Sequence, residues 1–338
     1  MNGHALRRHA DSGATDDDAT AGPDVPRPAP LRHALSRRRL LAVGAGAGAA
    51  LTLAASPRAA RAAATCESRY FGYRAGDLAR PYAKYMKPHV DAPQQQVLDA
   101  IAAGPTPTAQ VPARRTLAAE IERTDYAPIE TGYGKTAAGE IWVACLTHMP
   151  RVEPRMWDWW FGWHSKESAR YKLWHPDAHA YAALKNDTAD KPGLTDRQRF
   201  VNNTSYVDEV IGGHLDQLAI GFRDPGAFGI DVSKIDGTVI AGTVGTALAP
   251  VNIGMVVHEV RRVPGGSEMR SRFYLNVAGV RAFDAAAFAC AVSRGISPPR
   301  SITFDVPFGG ALLRHCGEEM NHLAQFLPEL YAEFSGHA

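Results

Sequence analysis

The chain has 338 residues, of which 45% are apolar and 21% are charged, and its formal net charge is +2. This is the composition of an ordinary globular protein. Much of the basic charge lies near the N-terminus, so no basic stripe remains to follow phosphates, and nucleic acid is excluded as an expected partner. Without a leader the chain keeps about 270 residues, enough for one large core or two unequal ones.

The start of the chain has the pattern of an export signal. Residues 1–35 are rich in Asp, Pro and Ala and have no periodicity, which predicts disorder. Arg37 and Arg38 precede a weakly apolar run over residues 40–55, and Ala-x-Ala cleavage options follow near Ala62–Ala64. We predict a twin-arginine signal and export to the periplasm or the medium, with no stable membrane insertion after cleavage.

Two alternatives to a cleaved signal stay open. The apolar run is shorter than the roughly 20 residues that span a bilayer, but it could remain as an uncleaved anchor. Cys66 could carry a lipid, although Thr65 stands where lipoprotein signals prefer Gly or Ala. No later stretch of the sequence is apolar for long enough to span a bilayer.

The next part of the chain mixes short helices with turns. Residues 93–104 and 116–124 have helical spacing, and the first of these runs ends at a glycine. The run GYGKT at 132–136 lacks the spacing of a phosphate loop and is predicted to form a turn before a strand at 140–147. The aromatic run at 154–164 predicts a hydrophobic helix packed on a sheet, one wall of a pocket for a flat ligand, or both together. Its tryptophans are Trp157, Trp159, Trp160 and Trp163.

From residue 205 onward the pattern changes to strands. Strands are predicted at 214–226, 238–246, 251–266 and 267–277. The last two are joined by a Pro-Gly-Gly turn and are typical of an antiparallel hairpin. A long helix with an apolar stripe is predicted at 309–334. Antiparallel strands followed by a long C-terminal helix indicate an α+β fold, in which a curved sheet around the helix leaves a cavity.

The predicted C-terminal helix carries a pair of side chains that can bind a metal. His315 and Glu319 are four residues apart, so they share one helix face with roughly 5–6 Å between their Cβ atoms. His322 lies on the same face, and a polar face turned to water is the alternative. Region 170–179 and Glu209 could supply two further donors. A set of N and O donors is typical of catalytic rather than structural zinc.

The other histidines and the cysteines give weaker signals. His258 and Glu259 lack the second His of a zincin motif. Further candidate histidines are His148, His164, His175, His179, His214 and His258. The cysteines are Cys66, Cys145, Cys290 and Cys316, and because none form a CxxC, their pairing cannot be read from the sequence. Cys316 is predicted to be a core residue, since neighbours on a helix point in different directions.

Five runs together resemble the 2,4-diacetylphloroglucinol hydrolase family over roughly residues 125–334. They are WDWWFGWH, RYKLWHPDAH, the Glu in DEVIGGHLDQLAIGFRDP, MRSRFYL and LLRHCGEEMNHL. The resemblance implies a zinc-dependent hydrolase that cleaves the carbon–carbon bond between an acyl group and a polyhydroxylated aromatic ring. It also implies a Bet v1-like helix-grip fold, a small aromatic ketone as substrate, and a homodimer.

The resemblance also implies particular site residues. By position, the zinc ligands are His179, Glu209, His315 and Glu319. His175 is the rival to His179. The residues that match the catalytic pocket are Tyr171, His258 and Tyr274. Apart from the resemblance, His322 could orient a ligand by a hydrogen bond.

Two competing interpretations keep the same fold. One is a related metal-dependent hydrolase that acts on another acyl phenol or a β-diketone, and the other is a non-catalytic carrier of hydrophobic molecules. Two Glu ligands would also accept Mn²⁺ or Fe²⁺. We predict three parts of the chain: a disordered preamble with its signal at 1–64, a smaller N-terminal region at 65–135, and a metal-dependent catalytic domain at 136–338.

Overall fold

The computed structural model describes residues 66–296 and 303–336. The predicted disordered preamble and the twin-arginine signal therefore lie outside the described residues. Eight strands form one antiparallel sheet in the order β1-β2-β8-β7-β6-β5-β4-β3. The strands are β1 (Gly132–Lys135), β2 (Ile141–Pro150), β3 (His179–Leu184), β4 (Thr204–Ile211), β5 (His214–Arg223), β6 (Gly237–Thr246), β7 (Val251–Val263) and β8 (Gly266–Val280).

Helices of very different length accompany the sheet. Within the described residues they are α1 (Ala75–Leu78), α2 (Gln95–Ala103), α3 (Leu117–Ile121), α4 (Pro154–Trp163), α5 (Ser168–Lys172), α6 (Asp196–Phe200), α7 (Ala285–Ser293), α8 (Val306–Ala324) and α9 (Leu327–Phe334). None of these helices has the length and apolar character needed to cross a bilayer. The predicted α+β layout is confirmed, whereas the finer Bet v1-like helix-grip assignment stays a prediction.

The long helix α8 covers one face of the sheet, which we call the inner face. It packs against β1 and β2 and also reaches β4. Gly309 and Gly310 permit the close approach, because a Cβ at these positions would lie 3.0 Å from Ile141 and 3.1 Å from the Tyr133 ring. The helix starts at Asp305, whose side chain accepts a hydrogen bond from the Phe308 amide. These contacts fix the height of α8 above the strands.

Two predicted elements differ in the structure. The single helix predicted at 309–334 is wrong, because the chain forms α8 and α9 with a break at Phe326. Pro328 explains the break, since proline lacks an amide hydrogen and its ring clashes with the carbonyl four residues earlier. The predicted turn at 132–136 is also wrong, because it forms the edge strand β1. Its Gly134 permits close contact with Thr106, whose carbonyl would lie 2.8 Å from an added Cβ.

The N-terminal region packs on the same core as the sheet and α8. Tyr82 and Val97 are buried members of the main hydrophobic cluster. The predicted boundary between residues 135 and 136 falls between β1 and β2, which pair with each other. The predicted Pro-Gly turn of the last hairpin is present, with Gly265 in the left-handed region at φ 86°.

A disulfide joins Cys66 to Cys290, and buried ion pairs lie beside the two segments that it links. Arg69 and Arg294 both contact the Asp208 carboxylate on β4, at 2.9 and 2.8 Å. Cys145 and Cys316 are free thiols and buried, in agreement with the core position predicted for Cys316.

The opposite, outer face of the sheet carries a buried ion network. Arg270 and Arg272 on β8 are both fully buried. Arg270 contacts Glu130 at 2.9 Å and Glu259 at 2.7 Å, while Arg272 contacts Glu120 and Glu130. We call these five residues the outer-face network. It attaches the segment around α3 to the sheet.

Candidate metal centre and its cavity

Four predicted ligands come together where α8 lies over the end of the sheet at β3 and β4. His179 opens β3 and pairs directly with Glu209 on β4, so both side chains project from the inner face. His315 and Glu319 lie one turn apart on α8 and are buried on its sheet-facing side. All four residues are buried. We call them the inner-face cluster.

The distances within this cluster suit one small cation. His179 Nε2 lies 3.5 Å from a carboxylate oxygen of Glu209 and 3.5 Å from one of Glu319. His315 Nε2 lies 3.7 and 3.8 Å from the same two oxygens. Ligand atoms of a tetrahedral ion with bonds of about 2.1 Å are separated by about 3.4 Å. The donor atoms of His179, His315 and Glu319 all lie within 4.8 Å of one another, and Glu209 joins them through both histidines.

The hydrogen bonding of the histidines fits a metal site. Among residues 66–296 and 303–336, the buried Nε2 atoms of His179 and His315 have no hydrogen-bond partner. His179 Nδ1 lies 3.0 Å from the Tyr171 carbonyl, which can only accept, so this nitrogen carries the hydrogen. The Nε2 lone pair of His179 therefore points into the cluster, as in histidines that bind metals. The residues present fit a divalent cation held by two imidazoles and two carboxylates.

The electrostatics of the cluster favour the same interpretation. Burial lowers the pKa of His179 well below its ordinary value, so the ring is neutral. Burial raises the pKa of Glu319 to about 8. Burial also opposes the charge on His315, but its contacts with Glu209 and Glu319 prevail and raise its pKa to about 9. The Glu319 carboxyl group thus holds a proton at neutral pH, because too little positive charge lies nearby, and a divalent cation would supply that charge.

Tyr171 supports Glu209 from the other side. Its hydroxyl donates a hydrogen bond to a Glu209 carboxylate oxygen at 2.5 Å. Burial and the charge of Glu209 raise the pKa of Tyr171 well above its ordinary value, so the hydroxyl remains a donor. The Tyr171 ring stacks on the His179 ring, with centroids 3.7 Å apart and planes 2° from parallel. Tyr171 therefore orients two of the proposed ligands.

The structure separates His179 from its rival His175. His175 Nε2 points to Glu318 at 3.4 Å, and its ring stacks on His315 with centroids 4.8 Å apart. His175 thus lies behind the cluster and not in it. Glu318 is part-buried beside this contact.

His322 lies one turn further along α8 and contacts a different partner. Its Nδ1 lies 2.9 Å from an Asp91 carboxylate oxygen. Among the described residues, the His322 side chain forms no hydrogen bond with any of the four proposed ligands. The suggestion that His322 orients a ligand is therefore not supported by its contacts.

A largely apolar cavity opens beside the inner-face cluster. The volume of this cavity, with its open mouth included, is about 850 Å³. Five phenylalanines contribute to the walls, and they are Phe161, Phe222, Phe273, Phe304 and Phe308. Glu209, His315 and Glu319 line one end. A flat apolar molecule with one polar end fits such a site.

Three further polar side chains lie in the cavity wall. Two of them, Ser205 and Asp216, are not predicted as site residues from the sequence, and His164 is only a weak candidate there. Ser205 and Asp216 project from the inner face of β4 and β5, and Asp216 pairs directly opposite Glu209. His164 lies in the wall after α4. The signal for Ser205 was present, because a side chain four residues from Glu209 along a strand shares its face of the sheet.

His258 and Tyr274 have different positions with respect to the cavity. His258 lines it, with Nδ1 at 2.8 Å from the Ser271 hydroxyl. Tyr274 instead points to the outer face, where its hydroxyl donates to the Pro112 carbonyl at 3.4 Å. Phe273 and Leu275 occupy the inner face on either side of it. The predicted catalytic role of Tyr274 is therefore corrected, because alternation along β8 turns its ring away from the cavity.

The tryptophan-rich helix also requires a correction. The residues around α4 that line the cavity are Phe161, His164 and Trp174. The four tryptophans of the run are buried behind them, where Trp159 and Trp163 stack with centroids 5.0 Å apart. The hydrophobic-helix interpretation is confirmed, and the tryptophans form the support of the cavity wall and not the wall itself.

Comparisons with known proteins identify the family of this chain. A family model described as the DAPG hydrolase PhiG domain matches residues 115–332. A 2,4-diacetylphloroglucinol hydrolase of a Pseudomonas species is 30% identical over 275 residues, covering 75% of this chain and 88% of the relative. A protein of the same name from Pseudomonas protegens is 30% identical over 275 residues, covering 75% and 85%. Phloretin hydrolase of Eubacterium ramulus is 33% identical over 215 residues, covering 63% and 74%. The chain therefore belongs to the DAPG hydrolase family.

Proposed function

We propose that this protein is a divalent-metal-dependent hydrolase that cleaves the carbon–carbon bond between an acyl group and a polyhydroxylated aromatic ring. The observation that carries the proposal is the inner-face cluster, in which two imidazoles and two carboxylates converge at one end of an apolar cavity. Relatives named for 2,4-diacetylphloroglucinol and phloretin hydrolysis support acyl phenols as substrates. Zinc is the metal that we propose, since it accepts this donor set.

The proposed metal would be held by His179, Glu209, His315 and Glu319. When bound, such an ion polarises a carbonyl oxygen and lowers the pKa of a coordinated water toward neutral pH. The four ligands bring this chemistry to one end of the cavity, and its apolar walls exclude bulk water from the rest. The substrate would therefore place its carbonyl at the cluster and its ring among the phenylalanines.

We propose two roles for the remaining candidates. Tyr171 keeps Glu209 in place through its hydrogen bond at 2.5 Å. His258 is neutral, since burial lowers its pKa to about 3, and its Nδ1 is occupied by Ser271. A neutral imidazole in an apolar wall can form a hydrogen bond with a ring hydroxyl, so we assign His258 to holding the ring during hydrolysis, in which water supplies the hydroxyl of the released acid and the hydrogen of the ring carbon.

The decisive experiment couples metal analysis to product analysis. Protein lacking residues 1–64 is purified, its metal content is measured, and release of acetate from 2,4-diacetylphloroglucinol is followed before and after chelation. We expect about one zinc ion per chain, loss of turnover on chelation, and recovery on re-addition of zinc. Undiminished turnover in a metal-free preparation would refute the proposal. Tight binding of the ketone without any acetate release would instead favour the carrier interpretation.

The remaining expectations about the cell and the assembly are also proposals. We propose export by the twin-arginine route, which the disulfide supports because such bonds persist in oxidising compartments. Replacing both Arg37 and Arg38 by Lys should keep the protein in the cytoplasm, and unchanged export would argue against this route. We propose a homodimer, for which light scattering should give twice the mass of one chain.

A further inference from the structure

Ser205 is a buried hydroxyl in the wall of the cavity. The residue is 2% exposed, and among residues 66–296 and 303–336 its Oγ has no hydrogen-bond partner. A buried polar group without a partner costs folding free energy, so such groups in native proteins call for an explanation. Ser205 lies on the inner face of β4 and faces the cavity, where a ligand could satisfy it.

The surroundings of Ser205 are apolar. Ile220 pairs with it directly on β5, and Val244 pairs with Ile220 on β6, and both line the cavity. Of the described side chains that line the cavity, Ser205 and Tyr171 carry hydroxyl groups. The Tyr171 hydroxyl already donates a hydrogen bond to Glu209. Ser205 is therefore the hydroxyl that this wall offers to a ligand.

The position of Ser205 relative to the cluster defines which ligand atom it can reach. Ser205 and Glu209 project from the same face of one strand, four residues and roughly 13 Å apart. Only Val207 lies between them on that face. An acylated phenol with its carbonyl at the cluster and its ring along β4 extends over this distance when a polar contact is made at each end. Ring hydroxyls next to the acyl group stay near the cluster, whereas the hydroxyl opposite it points along β4.

We propose that Ser205 forms a hydrogen bond with the ring hydroxyl para to the acyl group, and so selects substrates that carry it. The proposal rests on the proposed function, since it takes the orientation of the substrate from the cluster. It names the substrate class more closely: acyl phenols hydroxylated opposite the acyl group. Ser205 contributes to binding and selection and takes no part in bond cleavage.

The test compares two ketones that differ in one hydroxyl. 2,4,6-Trihydroxyacetophenone carries the para hydroxyl and 2,6-dihydroxyacetophenone lacks it. The ratio of their kcat/KM values, and separately the ratio of their dissociation constants by calorimetry, is measured for the parent protein and for Ser205→Ala. The intrinsic reactivity of the two ketones cancels when the ratios of the two proteins are compared.

We expect the preference for the trihydroxy ketone to fall roughly tenfold in Ser205→Ala, in both kcat/KM and binding. Ser267→Ala is the matched control, because Ser267 is also a buried hydroxyl without a partner in the described structure but does not line the cavity. It should leave the ratio unchanged. An unchanged ratio in Ser205→Ala would overturn the assignment, as would an equal loss for both ketones.

The two proposals can fail separately in this design. If the parent protein releases no acetate from 2,4-diacetylphloroglucinol, the proposed function fails, and the ratio of the dissociation constants of the two ketones still decides the role of Ser205. If the parent cleaves both ketones and Ser205→Ala keeps the parent's ratio, only the Ser205 assignment fails.

Discussion

Two clusters of buried charged side chains lie on opposite faces of the same sheet, and they balance their charge differently. In the outer-face network, each of the three carboxylates contacts a guanidinium of Arg270 or Arg272. In the inner-face cluster, Glu209 and Glu319 contact histidines, and no Lys or Arg of the described chain lies within ion-pair distance of either.

This difference distinguishes a structural ion network from a site whose side chains suit a bound metal. Buried carboxylates are tolerated when a fixed cation accompanies them, and the outer-face network supplies it from its own side chains. The inner-face cluster has only imidazoles, one of which is neutral because burial lowers its pKa. Its missing positive charge has to come from protons or from a metal. The predictions below challenge this distinction, beginning with the largest expected effect.

Removing one inner carboxylate should abolish activity with little loss of stability. For Glu319→Ala we expect the bound metal to fall from about one per chain to nearly none and kcat/KM to fall by roughly 10³-fold or more, because metal assistance contributes several kcal/mol. Metal analysis and acetate release measure both quantities. Glu318→Gln is the control, since the Glu318 carboxylate is next to Glu319 in the chain but contacts His175 and Arg314. Full metal content in Glu319→Ala would remove Glu319 from the ligand set.

Removing one outer guanidinium should have the opposite effect. Arg272→Met leaves Glu120 without its ion-pair partner, so we expect a loss of about 3–5 kcal/mol in the free energy of unfolding, measured by urea denaturation. The folded variant should keep its metal and its KM. Arg262→Met is the control, because its pair with Asp236 is exposed and contributes less than about 1 kcal/mol. Loss of metal from folded Arg272→Met would show that the two clusters are coupled.

Removing a supporting hydroxyl should weaken the inner-face cluster without destroying it. In Tyr171→Phe, Glu209 loses its hydrogen bond, and we expect metal affinity to fall about 10–100-fold in competition with a chromophoric chelator. Tyr206→Phe is matched, since that hydroxyl donates to Asp284 outside the cavity. Equal affinities in the two variants would mean that Tyr171 does not position a ligand.

The smallest effect concerns a buried imidazole without carboxylates. Burial lowers the pKa of His164 to about 3, although His315 in the same cavity has a raised pKa. Below pH 6.5 the unfolded chain binds a proton that folded His164 does not, so stability falls as the pH falls from 6.5 toward 3. Between pH 7 and pH 5 the parent should lose about 2 kcal/mol more than His164→Gln. Parallel urea midpoints would contradict a neutral, buried His164.

How far the sequence predicts these clusters depends on how local their contacts are. The pair His315 and Glu319 follows from helical spacing alone. The choice of His179 and Glu209 came from family resemblance, because their pairing depends on the register of β3 and β4, which are separated by a long connection. The register of such a pair is not fixed by any local turn, so it cannot be read from one sequence.

The error at Tyr274 has a different origin. Arg270, Arg272 and Tyr274 alternate along β8, and this period of two already places all three on one face. The resemblance by position instead predicts a place in the cavity for Tyr274. The tryptophan run shows a further limit, since spacing predicts that a helix is buried but not which neighbours separate it from a cavity.

The bond between Cys66 and Cys290 has a practical consequence for anyone who prepares this protein. Of its four thiols, two are consumed in oxidised material, whereas synthesis in a reducing cytosol leaves all four free. The joined segments hold Arg69 and Arg294 on Asp208, the residue before Glu209. Whether the disulfide has formed in a preparation can therefore affect the position of the strand that carries Glu209. A thiol titration of the denatured sample should accompany every kinetic measurement.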